Sequence, residues 1–335
     1  MACTLLLLVA VVPGRSAFGA PDPVPPGESD EAGAALPPAD VDQVTELDHA
    51  GRVLASTYVN GRGPLRFILD TGANRSAVSA RMLGALDPAL VPDSEINVHG
   101  VTGPAVLPAL RIDRLQVGDL SFYGVRVPVL DDEVFADADG ILGIDLLQNA
   151  RIEVDVENDR VVVRRSRGKR AAKGYLTVPA RLQQGGLLLV NGKVGRLPVK
   201  VILDTGAERS LGNPRLLEAL LADPALSGSQ AAATVLGATP GVIEGTALVA
   251  PPIRIGDAVL SDLSVTFGDL HVFHVWGLDD EPALLIGMDL LGRLRAFVVD
   301  YPRREFQLLP TTEPKPRSIQ RYCGRACRLA LPDGR

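Results

Sequence analysis

The chain has 335 residues, 46% of them hydrophobic, which is enough for two domains that each bury a core. Its formal net charge is −6, so nucleic acid is not an expected partner, because phosphate binding needs an excess of clustered cations. We expect no stable membrane insertion of the mature protein, since no segment is apolar for long enough to span a bilayer as a helix.

The first twenty residues are typical of a secretory signal peptide. An apolar run from Leu5 to Val12 is followed by small residues, and this run is too short to cross a bilayer. We therefore predict that residues 1–20 are a signal and that the protein is exported, to the periplasm or outside the cell. A wrongly assigned start site and a disordered cytoplasmic N-terminus are the alternatives. Residues 21–45 are rich in Pro, Ala and acidic residues, which predicts a disordered leader.

The rest of the chain is predicted to form two lobes, over residues 46–165 and 176–311, with a tail over residues 312–335. The basic stretch at residues 164–170 leads into the predicted linker, 166–175. A solvated connection between the lobes is the simplest interpretation of this stretch. An anion-binding patch and a processing site are the alternatives.

The two predicted lobes repeat one another. Aligned on their Asp-Thr-Gly triplets, which begin at Asp70 and Asp204, the copies are offset by 204 − 70 = 134 residues. Further matches follow in the same order: HGVTGP with LGATPG, LQVGD with IRIGD, and ILGIDLL with LIGMDLL. This ordered series predicts two lobes of one fold, related by a pseudo-two-fold axis.

Each copy predicts short strands joined by turns. Asn60-Gly61 and Asn191-Gly192 are typical hairpin dipeptides, and β-branched runs flank them. Helices are predicted only over residues 80–86 and 214–221, and as a short turn after each Gly-x-Asp-Leu-Leu. The predicted fold class is therefore all-β, duplicated.

Each triplet places a carboxylate at the end of an apolar strand. The strands FIL and VIL are expected to be buried, so Asp70 and Asp204 emerge from surroundings of low dielectric. Two such loops in one chain indicate that the two carboxylates meet. Two adjacent carboxyl groups share one proton over a wide pH range, which suits general acid-base hydrolysis and requires no metal or other cofactor.

The residues after each Asp fit this role. Thr71 and Thr205 supply hydroxyl groups that can lock the loops from beneath. Gly72 and Gly206 allow a tight turn that brings backbone N–H groups near the carboxylate.

The pattern apolar-apolar-Asp-Thr-Gly-Ala, a Gly-rich hairpin about thirty residues later and a final apolar-apolar-Gly resembles the retropepsin-like aspartic peptidases. The resemblance covers about residues 50–163 and 180–309 and implies a single-chain form with two β-barrel lobes. It implies that Asp70 and Asp204 are the catalytic pair of an aspartic endopeptidase that acts, as a monomer, on a peptide or protein substrate. It also implies two substrate-binding flaps, whose residues are Gly100, Val101, Thr102 and Gly103 in the first copy and Gly237, Ala238 and Thr239 in the second.

Two other hypotheses remain open. The chain could be a catalytically inactive module that keeps the cleft for binding peptides or proteins, although both triplets are intact. Alternatively, the lobes could pair between chains, although a tethered partner lobe has a high effective concentration.

Further predictions concern residues outside the triplets. Asp145 and Asp289 are expected to be N-caps of short helices. His271 and His274 are expected to share a strand face rather than bind a metal, and His99 is expected to be exposed.

Trp276 and the last two cysteines allow two interpretations each. Trp276 either packs in a core or lines a substrate subsite. Cys323 and Cys327 in the tail either form a disulfide, if the protein is exported, or remain free thiols.

Overall fold

The computed structural model describes residues 3–5, 43, 44, 47, 48, 51–86, 91–226 and 230–311. The tail with Cys323 and Cys327 and most of residues 1–45 lie outside the described residues, so the signal peptide, the leader and the disulfide stay predictions. In the part of the chain that is described, no helix has both the length and the apolar character needed to cross a membrane.

The first half of the chain is built mainly from strands. They are β1 (Cys3–Leu5), β2 (Gln43–Val44), β3 (Leu54–Val59), β4 (Arg62–Leu69), β5 (Ala77–Ser79), β6 (Ser94–Gly100), β7 (Gly103–Val117), β8 (Leu120–Leu130), β9 (Gly140–Leu142), β10 (Ala150–Asp155) and β11 (Arg160–Arg165). Its helices are α1 (Met82–Leu86), α2 (Ile144–Leu147) and a 3-10 helix at Asp132–Val134. Seven strands form a sheet in the order β3-β4-β9-β5-β8-β7-β6, and a further pairing of β3 with β7 closes it into a barrel.

The second half repeats this arrangement. Its strands are β12 (Leu176–Pro179), β13 (Arg181–Leu182), β14 (Leu188–Val194), β15 (Leu197–Leu203), β16 (Leu211–Gly212), β17 (Ala231–Leu236), β18 (Val242–Ala250), β19 (Ile253–Ile255), β20 (Ala258–Leu260), β21 (Leu263–Phe267), β22 (Ala283–Ile286), β23 (Ala296–Asp300) and β24 (Glu305–Leu309). Its helices are α3 (Pro214–Leu221), α4 (His271–Val275), α5 (Met288–Leu291) and a 3-10 helix at Gln184–Gly186. The predicted all-β fold with two related lobes is confirmed.

The second sheet has the order β17-β18-β21-β16-β22-β15-β14-β19-β20, with β13 beside β14 and β1 beside β17. Where the first lobe has the single long strand β7, the second has β18 and β19, which are separated by Pro251 and Pro252. Two consecutive prolines remove two neighbouring N–H groups, which favours a break here, whereas β7 continues through its two separated prolines. In both lobes the strand before the triplet pairs in parallel with the strand before the later Gly.

A third sheet joins the lobes, with the order β12-β24-β23-β10-β11-β2. At its centre β10 pairs with β23, and Arg151 lies opposite Asp300. The Arg151 guanidinium donates to Asp300 over 2.9 Å and to Gln307 over 3.1 Å, and all three residues are buried. Because three strands of the second half and three of the first form one continuous sheet, joined where β23 pairs with β10, the lobes are held in one relative position.

We expect Asp300→Ala to reduce the free energy of unfolding by about 3 kcal/mol, because it leaves the buried Arg151 charge with Glu153 as its remaining acidic partner. Urea unfolding monitored by circular dichroism measures this loss. The matched control is Glu157→Gln, which removes an exposed ion pair to Arg295 that also joins the halves and should cost less than about 1 kcal/mol. Equal losses in the two variants would contradict the prediction.

Both predicted helices form, over slightly shorter or identical ranges. The helix predicted over 80–86 is α1, and α3 coincides with the predicted range 214–221. The start of α3 is well specified, because the Asn213 side chain accepts from the Leu216 N–H over 2.9 Å and Pro214 occupies the first turn. Leu216 and Leu220, one turn apart, are buried on its inner face.

One hairpin prediction was right and the other was wrong. Asn60 and Gly61 form the turn between β3 and β4, with φ values of 49° and 78°. Asn191-Gly192 lies inside β14 instead, and the chain turns at Gly195, where φ is 58°. The second copy has three more residues before its Asp, and they lengthen the hairpin beyond the Asn-Gly dipeptide.

The segment His271–Val275 forms helix α4, so the prediction of a strand there was wrong. Val272, Phe273 and Trp276 are buried on one side of this helix, and the Trp276 N–H donates to the Val272 carbonyl over 3.0 Å. Five residues of apparent alternation were too few to distinguish a strand from a helix. Trp276 packs edge-on against Phe273, with ring centroids 6.0 Å apart, and is 2% exposed, so it has the packing role.

Candidate active site

The two Asp-Thr-Gly loops leave the centres of the two sheets in the same way. Asp70 follows β4, and its N–H donates to the Leu142 carbonyl of β9 over 3.0 Å. Asp204 follows β15, and its N–H donates to the Ile286 carbonyl of β22 over 3.0 Å. Each carboxylate is therefore held at the end of a buried pair of parallel strands.

Thr71 and Thr205 interlock the two loops. The Thr71 hydroxyl donates to the Leu203 carbonyl over 2.7 Å, and the Thr205 hydroxyl donates to the Leu69 carbonyl over 2.5 Å. The N–H of each Thr donates to the hydroxyl oxygen of the other, over 3.2 and 3.1 Å. These four bonds cross between the lobes, so the position of one loop depends on the other.

Backbone N–H groups hold one oxygen of each carboxylate. Asp70 Oδ1 accepts from Gly72 and Ala73 over 2.9 and 2.8 Å. In the second loop, Asp204 Oδ1 accepts in the same way from the two residues that follow its Thr, over 2.9 and 3.0 Å. Both Asp residues are 0% exposed.

The two carboxyl groups face each other. They lie within hydrogen-bonding reach of one another, and no other described group donates to either Oδ2 atom. One shared proton would therefore satisfy both oxygens. Gly206 permits this approach, because a Cβ atom at that position would lie 2.2 Å from Asp70 Cγ.

Burial raises the pKa of both carboxyl groups above the ordinary Asp value. For Asp204 the nearby negative charge of Asp70 raises the pKa further, whereas the N–H groups of Gly206 and Ala207 oppose the rise. For Asp70 desolvation is also the largest cause, and the hydrogen bond with Asp204 and the N–H groups of its own loop oppose it. The pair is therefore expected to hold one proton well above pH 4.

The expected N-cap role of Asp145 and Asp289 was wrong. Each Asp is the second residue of its short helix, and the N-cap is the preceding Gly without a side-chain cap. Asp145 Oδ1 instead accepts from the N–H and the hydroxyl of Ser76 over 2.9 and 2.7 Å. Asp289 accepts from the Ser210 N–H through Oδ2 and from its hydroxyl through Oδ1, over 3.0 and 2.7 Å.

Sequence analysis missed Ser76 and Ser210. The signal was available, because each Ser lies six residues after its Asp in both copies. The Ser76 hydroxyl also accepts from the Gly143 N–H over 3.0 Å, so it ties the exit of the Asp-Thr-Gly loop to the later Gly. Its role is to position the loop.

The predicted flaps are two hairpin tips that touch. Thr102, between β6 and β7, donates through its hydroxyl to the Thr239 carbonyl over 2.7 Å. Gly100 and Gly103 pair at the base of the first tip. Val101 is 0% exposed and Ala238 is 6% exposed, and Ala238 packs in the hydrophobic cluster that contains Ala73. The tips of the two lobes thus contact each other, and the carboxylates of Asp70 and Asp204 have no exposed surface.

The histidine predictions need correction as well. His99 is half-buried rather than exposed, and its ring lies against His271 of the second lobe. His274 points elsewhere, between Asp269 and Asp279, with both contacts at 2.7 Å. Among the described residues, no group of three or more His, Cys, Asp or Glu side chains could hold a metal ion.

Comparison with known protein families gives a match in each half of the chain. A family model described as aspartyl protease matches the chain twice, over residues 55–146 and 189–290. Each match contains one Asp-Thr-Gly loop, one flap and the later apolar-apolar-Gly, and together they cover more than half of the chain. No curated protein matches the chain. The chain therefore belongs to the aspartyl protease family and carries two copies of the family's domain in one polypeptide.

Proposed function

We propose that this protein is an aspartic endopeptidase that cleaves peptide bonds in an extended segment bound between the lobes and beneath the flaps. The supporting observation is the pair Asp70 and Asp204, buried and in mutual hydrogen-bonding reach on interlocked loops. A buried pair of carboxyl groups with no other donor to its facing oxygens is costly for stability and suited to proton transfer.

The proposed reaction uses the two carboxyl groups and one water molecule. The ionised carboxylate accepts a proton from water as its oxygen attacks the scissile carbonyl carbon, while the neutral carboxyl group donates its proton to the carbonyl oxygen. The tetrahedral intermediate collapses when the carboxyl group that took the water proton donates it to the nitrogen, the other carboxylate accepts a proton from one hydroxyl of the intermediate, and the C–N bond breaks. The products are a carboxylic acid and an amine, and the pair again holds one proton.

The fixed orientation of each carboxyl group supports this division of work. The N–H pairs bind Oδ1 of Asp70 and of Asp204, which leaves both Oδ2 atoms without another donor among the described residues and available to the reacting groups. Preorganised groups of this kind need no rearrangement during the reaction. The lobes are nearly symmetric, so either carboxyl group can start as the neutral one.

A peptide library tests the proposal. Purified protein is incubated with the library between about pH 3 and pH 8, with and without a statine-type mimic of the tetrahedral intermediate, and products are identified by mass spectrometry. The proposal expects internal cleavage that the mimic inhibits. Retention of peptides without cleavage at any pH would favour the inactive binding module.

The pH dependence follows from the pair. Activity requires one proton on the pair, so it falls in acid when both groups are neutral and in alkali when both are ionised. Burial raises the pKa of Asp70 and Asp204, which moves the alkaline limb upward from the range of an ordinary Asp. We expect a bell-shaped profile of kcat/KM with its maximum at about pH 5 to 6. A rate that rises steadily to pH 9 would contradict the shared proton.

A further inference from the structure

A pair of histidines joins the first flap to the second lobe. His99, near the end of β6, places its Nδ1 atom 2.8 Å from Nε2 of His271, the first residue of α4. The rings are stacked, with centroids 5.2 Å apart and an angle of 15° between their planes. The His271 N–H also donates to the Val101 carbonyl at the flap tip, over 3.0 Å.

This contact belongs to one flap alone. In the repeat, HGVTGP aligns with LGATPG, so the position of His99 in the second flap is occupied by Leu236. A leucine side chain can neither donate nor accept a hydrogen bond, and it does not titrate. The first flap therefore has a proton-dependent contact that its symmetry-related copy lacks.

The two flap tips are in contact, and the carboxylates are buried. Asp70 and Asp204 have no exposed surface, and the tips touch through Thr102 and Thr239. In the proposed function a peptide binds beneath the flaps, so it enters when the tips part, and movement of the first tip away from the second lobe breaks the histidine contact. Whatever weakens the histidine contact therefore favours entry.

Protonation of both rings would break the contact. A hydrogen bond between two imidazole nitrogens needs one nitrogen with a proton and one without, whereas two imidazolium ions present donors to each other and repel. Burial, followed by the charges of His99 and His274, lowers the pKa of His271. The closed flap thus binds fewer protons than the open one, and opening is favoured as the pH falls below about 6.5.

The other groups around the pair do not replace this effect. On β7 the residue opposite His99 is Pro104, which carries no charge. On α4 the nearest titratable group is His274, which is exposed and already contacts Asp269 and Asp279.

We propose that His99 and His271 form a proton-controlled latch, which holds the first flap shut near neutral pH and releases it in acid. Control of cleavage by this latch rests on the proposed endopeptidase function, whereas the opening itself does not. The pH range of opening overlaps the range in which the carboxyl pair is expected to hold one proton. The same acidification would then admit substrate and prepare the catalytic groups.

Hydrogen–deuterium exchange measured by mass spectrometry tests the latch without any need for activity. The full chain is compared at about pH 7.5 and pH 5, with rates corrected for the intrinsic pH dependence of exchange. We expect exchange in the flap segment 94–103 to rise on the order of tenfold in acid, since one lost hydrogen bond changes an equilibrium by about that factor. Exchange in β10 should stay constant, which shows that the protein remains folded.

Two variants separate the latch from other acid effects. His99→Gln keeps a group that can hydrogen-bond to His271 but cannot be protonated, so the acid-dependent rise should disappear. His274→Gln changes a histidine on the same helix outside the pair, and the rise should remain. Absence of the rise in the wild-type protein, or its persistence in His99→Gln, would overturn the latch. A protein that shows the rise but cleaves no peptide would contradict only the proposed function.

Discussion

Replacing either Asp70 or Asp204 by Asn should lower kcat/KM for peptide hydrolysis at least about a thousandfold. One carboxyl group must accept a proton from water while the other donates one to the substrate, and an amide can do neither. Because the roles are complementary, the double variant should be hardly less active than either single variant. Rates of cleavage of a peptide found in the library measure the effect. Near wild-type turnover in either single variant would rule out the pair as the catalytic centre.

The same variants should keep or gain stability. The pKa of each Asp is raised in the folded protein, so folding binds protons, and the stability contributed by the pair is lost as the pH rises above the ordinary Asp value of about 3.9. Asn removes one of the two buried charges, so the melting temperature at pH 7 should hold or rise. Asp257→Asn, at an exposed turn, is the matched control and should change neither rate nor stability. If Asp70→Asn were much less stable than the wild-type protein, its loss of activity would be explained by unfolding and not by loss of the carboxyl pair.

Gly206→Ala should reduce kcat at least about a hundredfold, the cost of displacing a catalytic group by about 1 Å. The new Cβ atom would lie 2.2 Å from Cγ and 2.3 Å from Oδ2 of Asp70, distances at which atoms cannot coexist. Either the carboxyl group or the loop must move, and overpacking of this kind costs about 1 to 3 kcal/mol of stability. Steady-state kinetics and thermal unfolding measure the two effects.

The control for this variant is Gly84→Ala. Gly84 lies in α1, and a Cβ atom there would have nothing within 4 Å. Alanine favours helix over glycine by up to about 1 kcal/mol, so this variant should be fully active and no less stable. If Gly206→Ala is as active as Gly84→Ala, the two carboxyl groups are not in close contact in solution.

The sequence by itself determined the duplication, the all-β character and the two residues that meet at the centre. The residues that specify these features are neighbours in the sequence, and the same pattern occurs in both copies. Each Asp follows an apolar strand and precedes Thr-Gly, and hydrogen bonds inside each loop then orient it. The start of α3 is also local, because Asn213 and Pro214 specify the helix terminus within one turn.

Only the tertiary structure decided which partners the polar groups take. Asp145 has the local chemistry of an N-cap, yet Ser76, 69 residues away, binds it. His99 and His271 are 172 residues apart and touch because the lobes pack through a shared sheet. The alternation at His271–Val275 was overridden by burial of Phe273 and Trp276 in the core. Contacts between residues so far apart in the sequence depend on the packing of whole lobes. The free energy of this packing exceeds the preference of single residues for helix or strand, which is a few tenths of a kcal/mol.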